Sequence, residues 1–288
     1  MNYETLISVD ELARAIAGPD AAALLVLDCS FDLSDLQAGQ RTYDAGHLPG
    51  ACYVHLENTL SAPKNGRNGR HPLPDRAAFA AAMAALGAND TTQFVIYDNA
   101  GGMYAARLWW MLRWVGHSAA AVLDGGLAAW QATGQAVTSD GAAQRPPGHF
   151  SLRPSRVATL SYDDLRANLD SAARLVLDAR APDRFRGENE TLDPIGGHIP
   201  GARNRLFRDN LGADGRFKPA ASLLSEFQAL TGGRAAIELV SQCGSGVTAC
   251  HNLLALEVAG LRGAALYPGS WSEWCAQPGA PIATGAAD

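Results

Sequence analysis

Of the five cysteines in this chain, Cys243 is the one placed to act as a nucleophile. It follows the short apolar run Leu239-Val240 and opens the stretch Cys243-Gly-Ser-Gly-Val-Thr248. Beyond it, apolar residues at 247, 250, 254, 258 and 261 have the spacing of a helix. The cysteine is therefore expected between the carboxyl end of a buried strand and the amino end of a helix, where open α/β sheets bind ligands. Gly244 and Gly246 let the backbone curl so that amide N–H groups point inward. The helix amino end adds partial positive charge. Both features favour an anionic sulfur. The odd number of cysteines and the lack of any C-x-x-C spacing argue against a disulfide framework or a zinc knuckle. Cys29, Cys52, Cys250 and Cys275 are read as small buried hydrophobes.

The elements that would position Cys243 occur twice. Leu25-Val-Leu-Asp28 returns as Leu175-Val-Leu-Asp178, and Gly46-His-Leu-Pro-Gly-Ala51 as Gly197-His-Ile-Pro-Gly-Ala202. Phe94-Val-Ile-Tyr-Asp-Asn99 aligns without gaps on Glu238-Leu-Val-Ser-Gln-Cys243. Asn99 precedes Gly125 by 26 residues and Trp130 by 31, and Cys243 precedes Gly269 and Trp274 by the same distances. Such spacing marks an internal duplication whose first copy has Asn99 in place of the nucleophile. Ser8 is read as the N-cap of a first helix, 76–86 as an alanine-rich helix, and 101–115 as a helix with a bulky apolar side. Residues 61–74 read as a long polar loop. His47 and His198 occur in both copies, which favours a structural role.

The fold class expected is α/β, two tandem domains, each a mostly parallel sheet with helices on both faces. The expected bounds are 1–140 and 158–288, joined by a linker at 141–157 of Gly, Pro and polar composition. With 288 residues, 47% hydrophobic and 18% charged, the chain has ample core for two domains. A net charge of −6 argues against a nucleic-acid or anionic-membrane partner. No apolar run approaches the roughly 20 residues of a membrane span. The opening Met-Asn-Tyr-Glu-Thr-Leu lacks the order of a signal peptide, so a cytoplasmic protein is expected.

On these residues the chain resembles the rhodanese superfamily in its tandem two-domain form. The resemblance rests on Asp28 and Asp178, the paired Gly-His-x-Pro-Gly-Ala stretches, Trp109-Trp110-Met111, Asp124-Gly-Gly, the Cys243 loop and Gly269-Ser-Trp-Ser-Glu-Trp274. It implies transfer of sulfane sulfur through a Cys243 persulfide, with no cofactor or metal. Thiosulfate-using members resemble Cys-Arg-Lys-Gly-Val-Thr, whereas the neutral Gly244-Ser245 loop is similar to the 3-mercaptopyruvate sulfurtransferases. The implied donor is then 3-mercaptopyruvate, with Gly244, Gly246, Val247 and Thr248 around the sulfur. Arg184 corresponds to the family's substrate arginine. A second family arginine, nine residues on, is replaced here by Asp193, and Arg186 is the expected substitute. A serine–histidine–acid relay in such enzymes would correspond to Ser245, His71 and Glu57.

Other readings remain. A Cys-x5-Arg phosphatase would need arginine at 249, where the chain has Ala249. Gly244-x-Gly246 alone is too little for a nucleotide site. Thiosulfate sulfurtransferase is the alternative within the enzyme class. A persulfide carrier serving a protein partner is the alternative outside it. The acceptor would be a thiol such as thioredoxin or glutathione, or cyanide. Tandem domains cover their own interface, so a monomer is expected.

Overall fold

The two Leu-Val-Leu-Asp runs become strands buried on both faces, as parallel sheets require. The computed structural model describes residues 2–141 and 145–286. Residues 142–144 of the expected linker lie outside the described residues. By its contacts the chain forms two units. One comprises Met1–Ala62, Pro74–Arg156 and Ala213–Arg216, and the other Pro63–Leu73, Val157–Gly212 and Phe217–Asp288.

The first unit runs β1 (Leu6–Ile7), α1 (Val9–Ala17), β2 (Leu24–Asp28), α2 (Ala38–Ala45), β3 (Cys52–Tyr53), α3 (Leu56–Thr59), α4 (Arg76–Ala85), β4 (Gln93–Tyr97), α5 (Ala105–Trp114), β5 (Ala120–Leu123) and α6 (Gly126–Ala132). Ser8 caps α1 in a reciprocal box with Glu11. The sheet order is β1-β5-β4-β2-β3, with every pairing parallel. Alternate residues Leu24, Val26, Val95, Tyr97, Ala121 and Leu123 share one core with Leu12, Tyr43 and Trp130. The intervening strand residues are buried as well, so both faces of the sheet are covered.

The second unit runs α7 (Tyr162–Ser171), β6 (Leu175–Asp178), α8 (Pro182–Arg186), β7 (Arg203–Asn204), α9 (Ala220–Thr231), β8 (Leu239–Gln242), α10 (Thr248–Val258), β9 (Ala265–Leu266) and α11 (Ser270–Trp274). The order β7-β6-β8-β9 repeats that of the first sheet, and a parallel bridge from Thr159 to Leu266 stands where β1 does. Val176, Val240 and Ala265 share a core with Phe185, Tyr267, Trp271 and Trp274. Ser241 points the other way, its hydroxyl donating to Ala249 O at the start of α10 (3.0 Å). The α10 residues Ala249 to Leu256 are all buried, so this helix is central rather than amphipathic.

The paired histidines do the same work in each unit. His47 Nδ1 lies 2.7 Å from Tyr43 O, and His198 Nδ1 lies 2.9 Å from Phe185 O. Each ring stacks on that same aromatic residue, with centroids 3.8 and 3.7 Å apart. Each backbone forms an antiparallel bridge, to Thr138 and to Ala283.

One helix begins well inside its expected bounds. The helix expected over 101–115 begins only at Ala105. The Asp98 carboxylate takes the amide N–H groups of Ala100, Gly102, Tyr104 and Ala105 at 2.8–2.9 Å. That ring of bonds holds the preceding residues in a curled turn.

Candidate active site

In the second sheet the chain leaves β6 toward β7 on one side and β8 toward β9 on the other. The topological switch point therefore lies between the carboxyl ends of β6 and β8. Cys243 follows β8 directly, and Ala179-Arg180 follows β6, which ends at Asp178. Cys243 is 2% exposed.

The Cys243 loop is held from several directions. Cys243 N–H donates to Ser270 Oγ (3.1 Å), and Ser270 Oγ donates to Tyr267 O (2.9 Å). The carbonyls of Cys243 and Gly244 accept from the amides of Trp271 and Ser272, each at 2.9 Å. Gly246 has φ +76°, and a Cβ there would stand 2.3 Å from Pro268 O. Only glycine fits that turn. Val247 is buried, and Thr248 is half-buried at the first position of α10.

Ser270 is one of two described non-glycine residues in the left-handed region, with φ +55°. The matching position of the first unit is Gly126, φ +58°. The second unit thus keeps a side chain where the backbone favours glycine, and that side chain holds the nucleophile's amide. Nothing local in the sequence singled out Ser270 beyond its place in the Gly269-Ser-Trp motif.

Ser245 and His71 come together. Ser245 Oγ lies 2.8 Å from His71 Nδ1, and both residues are buried. Residues 61–74 do form a loop, but it carries His71 inward rather than out to solvent. Glu57 belongs to the first unit, in α3, with its amide capped by His55 Nδ1 at 3.1 Å.

The arginines separate by role. Arg180 is buried, bonded to Asp178 (Nη2–Oδ2 2.6 Å) and to Gly197 O (2.6 Å), with its guanidinium 4.6 Å from the Trp271 ring centroid. It is a fixed positive charge close enough to interact with Cys243. Arg184 forks onto Glu190, Nε to Oε2 at 2.9 Å and Nη2 to Oε1 at 2.8 Å, and reaches Asp193 Oδ2 at 3.3 Å. Arg186, the expected second anchor, is bonded instead to Glu188 on the surface (Nη2–Oε2 2.6 Å).

The second guanidinium beside the loop is Arg70, which sequence reasoning passed over although it adjoins His71. Its Nη1 binds Asp193 Oδ1 at 2.5 Å, and its amide donates to Ser272 Oγ at 2.9 Å. A Cβ at Gly244 would stand 2.8 Å from Arg70 Nη2, and 3.6 and 3.8 Å from Arg184 Nη2 and Nη1. Burial pushes the Asp193 carboxyl up, and Arg70 and Arg184 hold it back. Burial also works against the Glu190 carboxylate, but Arg184 and the amides of Leu192 and Asp193 outweigh it and keep Glu190 below its ordinary range. The thiols of Cys29 and Cys52 are pushed up by burial, and that of Cys275 to about 11. Cys250 Sγ points at Gly246 O, 3.3 Å away, on the buried side of α10. A buried cysteine in a glycine-curled loop, flanked by a serine–histidine pair and two guanidiniums, is suited to take an atom from a small anionic donor by covalent catalysis.

Comparison with known proteins identifies the family. The model of the rhodanese-like domain matches twice, over residues 8–133 and 161–277. A protein from Pseudomonas aeruginosa named "probable 3-mercaptopyruvate sulfurtransferase" is 48% identical over 287 residues, covering 99% of this chain and 100% of the relative. A thiosulfate sulfurtransferase from Cricetulus griseus is 35% identical, covering 94% and 92%. Among solved structures, SseA from Escherichia coli, described as a 3-mercaptopyruvate sulfotransferase, superposes with a TM-score of 0.80 at 30% identity, covering 93% of this chain and 99% of that one.

Proposed function

The chain belongs to the rhodanese family of sulfurtransferases, and from that premise we propose that it moves sulfane sulfur from 3-mercaptopyruvate to a thiol, releasing pyruvate. The observation that carries this reading is the placement of charge. The loop after Cys243 is neutral, and the cations stand beside Gly244, on Arg70 and Arg184. A donor whose carboxylate lies some bonds away from its sulfur fits that separation. A donor with charge on the sulfur-bearing group itself calls for cations within the loop.

In the first half-reaction the Cys243 thiolate attacks the donor sulfur. The new S–S bond forms as the C–S bond breaks, and its electron pair leaves on carbon as the pyruvate enolate. The donor's thiol proton stays on the outer sulfur, giving Cys–S–SH. The enolate takes a proton, for which the hydrogen-bonded Ser245–His71 pair is the proposed relay. The backbone amides of 244–248 offer hydrogen bonds to the sulfur anion, and Arg184 with Arg70 holds the carboxylate. In the second half-reaction an acceptor thiolate attacks the outer sulfur and Cys243 leaves as thiolate. Thioredoxin and glutathione are the acceptors proposed, with the enzyme working as a monomer. Glu57 is proposed as the acid of the relay.

The test is steady-state kcat/KM for 3-mercaptopyruvate and for thiosulfate with one thiol acceptor, for the native protein and Cys243→Ser. The expected result is a preference for mercaptopyruvate of about a hundredfold, near 2.7 kcal/mol of transition-state discrimination, lost entirely in the variant. A preference for thiosulfate would replace the donor while keeping the persulfide. Persulfide on Cys243 without turnover of either donor would favour a carrier serving a protein partner.

A further inference from the structure

The geometry points to Arg70 as the second donor-binding guanidinium of this site, with Asp193 as the counter-charge that restricts the Arg70–Arg184 pair to monoanionic donors. The inference rests on the donor reading above, because it concerns the anion that those two guanidiniums hold.

Arg70 is a built feature rather than a passing surface contact. Its backbone is tied to Ser272, whose own amide is tied to Gly244 O, so the residue is anchored to the Cys243 loop through one intermediary. Its Nη1 is fixed by Asp193, whose side chain is 3% exposed. Its Nη2 stands 2.8 Å from where a Gly244 Cβ would be, and among the described residues neither Nη2 nor the buried Nε has a protein acceptor. Arg184 is placed similarly. Its bonds to Glu190 and Asp193 leave from Nε and Nη2, and Nη2 and Nη1 both stand near Gly244, 3.6 and 3.8 Å from where its Cβ would be. The two guanidiniums thus converge beside the residue that follows the nucleophile. A carboxylate there would receive two charge-assisted hydrogen-bond donors.

The charges set what anion fits. Arg70, Arg184 and Arg180 bring three positive charges, and Asp193, Glu190 and Asp178 bring three negative ones within ion-pair distance. The cluster is formally neutral before a donor enters. A monocarboxylate adds one negative charge to donor atoms already aimed at it. A dianion adds two, and the second faces Asp193 with no cation of its own. Neutralising Asp193 should therefore help a dianion more than a monoanion, and neutralising Arg70 should harm the dianion more.

The experiment compares the native protein with Asp193→Asn, Asp193→Glu and Arg70→Gln. Two ratios are read for each: kcat/KM for thiosulfate over that for mercaptopyruvate, and protection of Cys243 from iodoacetamide by sulfate over protection by pyruvate. The second ratio needs no turnover. Asp193→Asn should raise both ratios by about tenfold, the weak end of what one unit charge does at contact distance, and Arg70→Gln should lower them by about as much. Asp193→Glu should stay near the native ratio. The inference is overturned if both ratios hold within about twofold of native in Asp193→Asn and Arg70→Gln while absolute rates fall together, since loss of packing alone acts on both anions equally. Should Asp193→Asn fail to fold, Arg70→Gln decides the matter alone, its side chain being 20% exposed. The native protein's own preference between donors tests the donor reading. The change of that preference on substitution tests the Arg70–Asp193 assignment, so the two fail separately.

Discussion

Substituting alanine at Gly246 and at Gly244 should give opposite signatures, although the two residues lie in the same loop. At Gly246 the backbone has φ +76°, and an added Cβ would stand 2.3 Å from Pro268 O, a main-chain atom that cannot swing aside. The left-handed conformation costs an L-residue about 1–2 kcal/mol. Overpacking against fixed backbone costs about 1–3 kcal/mol more. Gly246→Ala should therefore lose roughly 2–5 kcal/mol of stability, a large part of the ~5–15 kcal/mol of a typical native protein. At about 2–4 °C per kcal/mol, the melting temperature should drop by roughly 5–20 °C. At Gly244 the backbone is not left-handed, and the nearest atom to an added Cβ is Arg70 Nη2, the end of a flexible side chain. Gly244→Ala should stay within about 1 kcal/mol of native, since that side chain can give way. The displaced guanidinium should instead raise KM for mercaptopyruvate. Thermal melts followed by circular dichroism, with steady-state kinetics on the same preparations, read both effects. Equal melting temperatures for native and Gly246→Ala, or a collapse of Gly244→Ala to match it, would refute the reasoning.

Three further outcomes are expected. Ser270→Gly should change stability by less than about 1 kcal/mol, because relief of the left-handed serine offsets its lost hydrogen bonds, while kcat falls as Cys243 loses its amide anchor; a kcat at the native level would remove Ser270 from the site. Glu190, held below its ordinary range, lends stability that is present above its unfolded value near 4.3 and lost as pH falls through its lower folded value. Glu190→Gln should then flatten the stability–pH curve in that window by up to about 1.4 kcal/mol per pH unit, as read by urea unfolding. Finally, the buried thiols of Cys29, Cys52 and Cys275 should resist iodoacetamide at neutral pH in the folded protein, and peptide mapping should find persulfide on Cys243; rapid labelling of Cys275 would contradict its raised thiol.

The strands, the duplication and the cysteine loop were legible because their signals are local. Leu175-Val-Leu-Asp178 can hardly be anything but a buried strand, and Gly246 declares a turn that only glycine makes. Arg184 and Arg186 show where that legibility ends. They are chemically equal and two residues apart, but on the short helix α8 such neighbours face different ways. One points to Gly244 and the other to Glu188. Arg70 lay beyond reach for another reason. Its partners, Asp193, Ser272 and Gly244, are remote in the sequence, and residues 63–73 carry no periodicity to reveal which of them turn inward. Ser270 was hidden because a strained serine reads like any other.

The ring of amides closed on Asp98 bears on what the first copy can become. A cysteine placed at 99 would not by itself make a working loop. Four backbone N–H groups of that loop are already committed to the neighbouring carboxylate, whereas position 242 in the other copy offers only the neutral Gln242. A thiolate at 99 would meet the Asp98 carboxylate next to it, where its counterpart has the neutral Gln242. A working nucleophile there would need at least two substitutions, one at 99 and one at 98. Either change alone leaves the position without that chemistry, which works against a second active site in this chain.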